Sequence, residues 1–273
     1  MLASTHIAVQ SPILGLSHVG VKARDVERSC AFYGDFLGFA EQCRLNYLTT
    51  GKLMLVCFKV NDEQWLEVFA GLATGENRMH QVAFRVTDAD QVRARLADHH
   101  FDVPAKTPTG QMGNLNFVVP DPSGQIIEFV QHLPSGITQR DSGRFLPSTR
   151  IAKHLRQAQI VVSDPALGTA FYSPLGLLPS ESNDGPAGTL RLRTATGDYV
   201  DFATTPVHQS QFTLEVQDLL EARLRLEANR HLIDYLQALV IATTPDGAKY
   251  LDLFDPDGTC VRLMEPAPAA PTP

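Results

Sequence analysis

The stretch LSHVGVKARDVERSCAFYGDFLGFA, residues 16–40, decides the fold, because it returns as LRQAQIVVSDPALGTAFYSPLGLL at residues 155–178. A second stretch, NFVVPDPSGQIIEFV at 116–130, returns as YLDLFDPDGTCVRL at 250–263. A repeat period near half of a 273-residue chain means two copies of one domain. The copies are unequal. Where the first carries His18, Glu67 and Glu128, the second carries Gln157, Asp201 and Arg262, so chemistry is expected in the first copy and support from the second.

Each copy contains a weaker repeat of its own. HVGVKARD, residues 18–25, and QVAFRVTD, residues 81–88, are strand-like, end on an Asp able to cap a helix, and run into helical periodicity, the second from Ala89 to His99. Strands are expected after the first helix at Arg44–Tyr47, Leu53–Val60 and Gln64–Ala70, and after the second near Val103–Lys106, Asn114–Val119 and Gln125–His132. The unit is therefore βαβββ, and the chain holds four of them. DPSG at 121–124 and DPDG at 255–258 are turns in which Gly supplies a positive φ. The expected class is α+β, with the four units forming two cupped mixed sheets. Residues 13–133 make the first domain, 134–149 a Pro-, Gly- and Ser-rich linker, 150–265 the second domain, and 266–273 a disordered tail.

Composition narrows the partners. With a net charge of −7 and scattered Lys and Arg, nucleic acid is not expected, and the longest apolar runs fall far short of the ~20 residues that span a bilayer. The N-terminus lacks the pattern of a signal peptide, so a cytoplasmic protein, monomer or homodimer, acting on a small molecule is expected. Cys30, Cys43, Cys57 and Cys260 show no CxxC spacing and read as reduced, packed thiols.

Four βαβββ units, a strand-borne His at the start, the AFY helix end before Leu-Gly (Ala31, Phe32, Tyr33, Leu37, Gly38, and again from Ala170 to Gly176) and the DPxG-x3-E ending, Asp121 to Glu128, resemble the vicinal-oxygen-chelate superfamily. Glyoxalases, epimerases, extradiol dioxygenases and bleomycin-resistance proteins belong to it. The resemblance implies a cup holding a divalent metal, with His18, Glu67 and Glu128 at three ligand positions. The fourth falls on the fifth strand, at Gln81 or at its neighbour His80. Aligning Asp25 with Asp88 puts Gln81 opposite His18 and turns Val82, Phe84 and Val86 toward the helix, which favours Gln81; His80 would reach the metal only through a bulge.

One imidazole, two carboxylates and an amide oxygen suit Mn, Fe, Co, Ni or Zn with two positions left for substrate oxygens. Glu67 and Glu128 are the candidate bases. Lys22 and Arg85 share the ligands' strand phase and are candidate substrate contacts, and Trp65 with Phe69 forms either core or a substrate wall. The first function class is a metal-dependent lyase or isomerase that transfers a proton. A metal-free binding protein of the bleomycin-resistance kind is the alternative. An extradiol dioxygenase is weaker, since Thr109–Val119 lacks the additional His and Tyr of that group. The second cup, with Arg262 in place of the closing Glu, is expected to be metal-free, with Arg262 and Asp201 able to pair across it.

Overall fold

A computed structural model describes residues 11–162, 164–179, 189–203 and 211–266. In the first copy, strand β1 (Ile13–Ala23) leads into α1 (Val26–Cys30), which continues as a π-helical turn over Ala31–Phe36. Strands β2 (Ala40–Asn46), β3 (Leu53–Asn61) and β4 (Gln64–Ala70) follow, then β5 (Met79–Val86), α2 (Ala89–Asp98), β6 (Leu115–Pro120) and β7 (Ile126–Gln131). They form one sheet in the order β2-β3-β4-β1-β5-β7-β6.

The expected strand at Val103–Lys106 does not form. Its place holds irregular chain with an isolated bridge between Thr109 and Leu115, so this sheet has seven strands and Glu128 lies on the seventh. Pro104 and Pro108 lack the N–H that a ladder needs, which accounts for the loss.

The second copy comprises β8 (His154–Val161), α4 (Pro165–Tyr172), β9 (Leu178–Pro179), β10 (Thr189–Arg193), β11 (Tyr199–Ala203), β12 (Gln211–Glu215), α5 (Leu219–Ala228), β13 (Ala242–Thr243), β14 (Lys249–Phe254) and β15 (Cys260–Glu265). Its sheet runs β13-β14-β15-β12-β8-β11-β10-β9. In both sheets the first strand of each unit pairs parallel with the last strand of its own unit and antiparallel with the first strand of the other. Asp25, Asp88 and Asp218 cap their helices by accepting from Arg28, Gln91 and Glu221 backbone N–H groups. No helix among the described residues is long and apolar enough to cross a membrane.

Strand alternation sorts the side chains. Val19, Val21, Val82, Phe84, Ile127 and Phe129 face the helices in a single core that runs through both copies, leaving His18, Gly20, Gln81, Ala83 and Glu128 for the concave face. The two repeated motifs meet across the copies. Tyr33 donates to Asp255 (3.0 Å) and Tyr172 donates to Asp121 (3.4 Å), so each AFY helix end is latched to the other copy's DPxG turn. The segment expected to be only a linker contains a helical turn, α3 (Ile137–Arg140), with Thr138 fully buried and accepting from Asn114 (2.7 Å). Beside it, the buried Lys59 ammonium donates to the Asp141 carbonyl (2.6 Å) and pairs with Asp62 (2.7 Å). The C-terminal tail from residue 267 lies outside the described residues.

Candidate metal centre

Strand register assembles the site. Across neighbouring strands, Glu67, Gly20 and Gln81 lie in one row, and Trp65, His18, Ala83 and Glu128 in the next. Donors therefore alternate with small residues, and the small residues leave the hollow. A Cβ on Gly20 would come within 2.7 Å of the Phe69 ring and 2.9 Å of Gln81 Cγ, so only glycine fits between these side chains.

All four candidate ligands converge. His18 Nε2 is 3.0 Å from Glu128 Oε2 and 3.4 Å from Glu67 Oε2. Gln81 Nε2 lies 2.7 Å from Glu128 Oε2, 3.0 Å from Glu67 Oε2 and 2.9 Å from His18 Nε2. All four residues are 4–7% exposed. His80 is the extra residue of a bulge, opposite the step from Gly20 to Val21, yet its ring packs on Phe69 at 4.0 Å and does not join the four.

Among the described residues no three His, Cys, Asp or Glu side chains are set to hold a metal ion as they stand, and these groups form a hydrogen-bonded cluster. With both carboxylates ionised, no assignment of protons satisfies that cluster. If His18 Nε2 carries a proton it serves Glu128, but then it faces the Gln81 amide as donor against donor. If Nε2 is bare, it faces Glu128 as acceptor against acceptor, and the two amide hydrogens must serve three atoms. Turning the amide puts its oxygen toward two carboxylates, an arrangement that a cation, or a proton on a carboxyl, resolves. The separations suit one: adjacent donors around an ion bonded at ~2.1 Å stand about 3 Å apart.

Each ligand is also held from outside. The Ser17 hydroxyl meets His18 Nδ1 (3.2 Å), Asn116 donates to Glu128 Oε1 (2.5 Å), and the Cys57 thiol donates to Glu67 Oε1 (3.8 Å). Such partners orient ligands and set their basicity. Sequence reasoning missed all three, although Cys57 is the cross-strand partner of Glu67. Asn116→Ala is expected to weaken Mn²⁺ binding by about 10- to 100-fold, read by calorimetric titration.

The electrostatics carry a pH signature. Burial opposes a charge on His18, but Glu67 and Glu128 outweigh it and lift its pKa to about 9, while burial raises Glu67 to about 7. In the metal-free protein His18 then holds a proton that the unfolded chain has lost. Its stabilisation is fully present below the unfolded value near 6.5 and disappears as pH rises through 9. Thermal melts of chelator-treated protein should fall from pH 7 to 9, by up to ~1.4 kcal/mol per unit, and saturating Mn²⁺ should flatten the decline.

Around Glu67 the concave face is apolar. Leu55, Cys57, Trp65 and Phe69 form a buried cluster with Leu45, Met54 and Met112 against it. Trp65 donates to Gln42 (2.5 Å) and meets the His132 ring edge-on. Lys22 is paired with Glu76 and Arg85 with Glu63 (2.7 Å), so both cations already have carboxylate partners. Arg85 Nε and His132 Nε2 are buried without a partner among the described residues. Burial holds His132 down at about 4, and therefore neutral.

The second cup differs at every one of these points. Its equivalent rows read Asp201, Gln159, Gln211 and Tyr199, Gln157, Thr213, Arg262, so larger residues replace Gly20 and Ala83 on the floor. Arg262 and Asp201 do not pair across it. Arg191 clamps Asp201 with two bonds of 2.7 Å, and Arg262 clamps Asp252 (2.7 and 2.9 Å), because each Arg has a carboxylate directly opposite on the adjacent strand.

Four polar side chains converge on the concave face of this sheet, and residues 15–129, the first copy, match the model of the Glyoxalase/Bleomycin resistance protein/Dioxygenase superfamily, so this domain of the chain is of that superfamily. An uncharacterized Bacillus subtilis protein, YwbC, is 27% identical over 123 residues, 42% of this chain and 96% of that one. The fold is similar to that of the Mn(II)-bound glyoxalase from Novosphingobium aromaticivorans, with TM-score 0.71, 15% identity and coverage of 93% of this chain and 83% of the other. It is likewise similar to the 2,3-dioxygenase LapB from Pseudomonas sp. KL28, with TM-score 0.70, 17% identity and 96% of both chains covered.

Proposed function

We propose that the first copy is a metal-dependent lyase or isomerase that transfers a proton on a small substrate bearing two adjacent oxygens. The observation that carries this reading is the convergence of His18, Glu67, Gln81 and Glu128 at 2.7–3.4 Å in a cluster that a divalent cation would satisfy. His18 Nε2, the inner oxygens of Glu67 and Glu128 and the Gln81 amide oxygen would hold a divalent ion, Mn²⁺ being the choice that the similar glyoxalase suggests. Such an ion acts as a Lewis acid that makes the carbon next to a bound carbonyl more acidic.

The two carboxylates have different tasks. Glu128 is tied on both oxygens, by Asn116 on one and by His18 and Gln81 on the other, and serves to hold the ion. Glu67 opens toward the apolar wall, with a single thiol donor on its outer oxygen among the described residues, and is the base that takes and returns the proton. Trp65 and Phe69 flank Glu67 and exclude water from the reacting carbon. Arg85 and His132, beyond Trp65, supply unsatisfied N–H or nitrogen groups for a polar substituent.

The test is solvent-deuterium exchange into α-hydroxycarbonyl compounds and thioesters by Mn²⁺-loaded protein. Glu67→Gln keeps an oxygen ligand but removes the base, and exchange should fall by about 10²- to 10⁴-fold with metal content retained. Oxygen uptake with catechols in place of exchange would assign the chain to ring cleavage. A wild type that takes up no metal would favour the metal-free binding reading.

A further inference from the structure

Cys43 and Cys57 face one another across β2 and β3 as direct register partners, and the pairing depends on a bulge. Between Glu41 and Cys43 the strand gains one residue, Gln42, which sets Cys43 opposite Cys57. Gln42 holds the bulge in place by accepting from Trp65 (2.5 Å) and donating to Asp141 (3.2 Å). Cα atoms directly opposite in an antiparallel pair stand about 4.5–5.5 Å apart, inside the range that a disulfide spans without backbone movement. Strand β2 is the edge of its sheet and Cys43 is half-buried there, whereas Cys57 is fully buried with its thiol on Glu67 Oε1.

We propose that Cys43 and Cys57 form a reversible disulfide under peroxide and that this bond switches the neighbouring site. The Cys43 sulfur attacks one peroxide oxygen, the O–O bond breaks and water departs, leaving a sulfenic acid. The Cys57 sulfur then attacks Cys43, the S–O bond breaks, and a second water leaves with the Cys57 proton. Two thiols lose two electrons in all, and one peroxide gains them. The disulfide takes away the only hydrogen that Cys57 offers to the outer oxygen of Glu67. A ligand that loses its outer partner binds its metal about 10- to 100-fold more weakly.

The bond itself is independent of the proposed metal chemistry; its consequence rests on that reading, and the experiment separates the two. Metal-free Cys30→Ser protein is treated with hydrogen peroxide, then alkylated and digested with trypsin, which releases Cys43 in residues 29–44 and Cys57 in residues 53–59. The two peptides should appear joined, with Cys260 alkylated only after unfolding, and dithiothreitol should part them. Mn²⁺ titration of oxidised and reduced protein should then show at least tenfold weaker binding when oxidised, restored by dithiothreitol and absent in Cys43→Ser. Separate peptides, or a linked pair with unchanged Mn²⁺ affinity, would overturn the switch. Reduced protein that takes up no Mn²⁺ would instead overturn the metal reading, and the joined peptides would still decide whether the bond forms.

Discussion

Glu128→Ala protein purified without chelator is expected to contain almost no metal, and the wild type is expected to carry close to one equivalent of Mn or a similar divalent ion by elemental analysis. The expected loss exceeds the 10- to 100-fold of an outer-shell change, because it removes a ligand outright. It also strands Asn116, whose amide donates to Glu128, and leaves Gln81 and His18 with Glu67 as their one carboxylate. The effect should be specific. Asp201→Ala, at the matching place in the second copy, should leave metal content unchanged, since Asp201 is clamped by Arg191. Equal loss of metal in both variants would mean that general unfolding, and not the site, governs retention.

The second large effect is on stability, and it falls far from the site. Asp255 is 3% exposed, and its carboxylate accepts from Tyr33 (3.0 Å) and from the backbone N–H groups of Asp257 (3.0 Å) and Thr259 (2.7 Å). Asp255→Ala leaves all three donors unsatisfied in the interface, each worth ~1–3 kcal/mol, so a loss of about 3 kcal/mol or more is expected in denaturant unfolding. Tyr33→Phe removes a single bond and should cost about 1 kcal/mol. A double-mutant cycle should then show the two coupled. Additive losses would mean that the turn alone matters and that the latch between the copies contributes nothing. Tyr172→Phe, on the longer bond to Asp121, should cost less.

The reciprocity of that latch explains why AFY and DPxG recur together in the chain. Neither Tyr33 nor Tyr172 donates its hydrogen bond to the candidate ligand cluster. Tyr33 and Tyr172 are fully buried at the ends of their helices, and each depends on a carboxylate supplied by the other copy. Repetition of sequence here marks repetition of an interface, whereas the departures from repetition, His18 against Gln157 and Glu128 against Arg262, mark the site.

Much of the site was legible in one dimension because strand phase is local. An apolar set at Val82, Phe84 and Val86 must face the helices, and that alone turns Gln81 and Ala83 to the concave side. His18, Glu67 and Glu128 were legible through the resemblance to the vicinal-oxygen-chelate pattern, which places ligands at those strand positions. The bulge at His80 escaped the phase rule, since a bulge is a property of two paired strands and not of either one. Cys57, Asn116 and Ser17 escaped it for a similar reason: each matters only through the residue it meets, Glu67, Glu128 or His18. The missing strand near Val103–Lys106 shows the rule failing where two prolines disrupt the ladder.

The amino-acid sequence by itself determined the tandem repeat, the strand–helix–strand order of its units, the face on which most strand residues lie and the inequality of the two cups. These follow from the period-2 and 3.6-residue patterns, from the capping Asp residues and from comparison of the chain with itself. Only the tertiary structure decided that Glu67 and Gln81 share a row with Gly20, that Glu128 shares the next with His18, and that Arg262 turns to Asp252 and away from Asp201. Those contacts join residues up to 110 positions apart, as His18 and Glu128 are, and their register is set by the closing of the whole sheet.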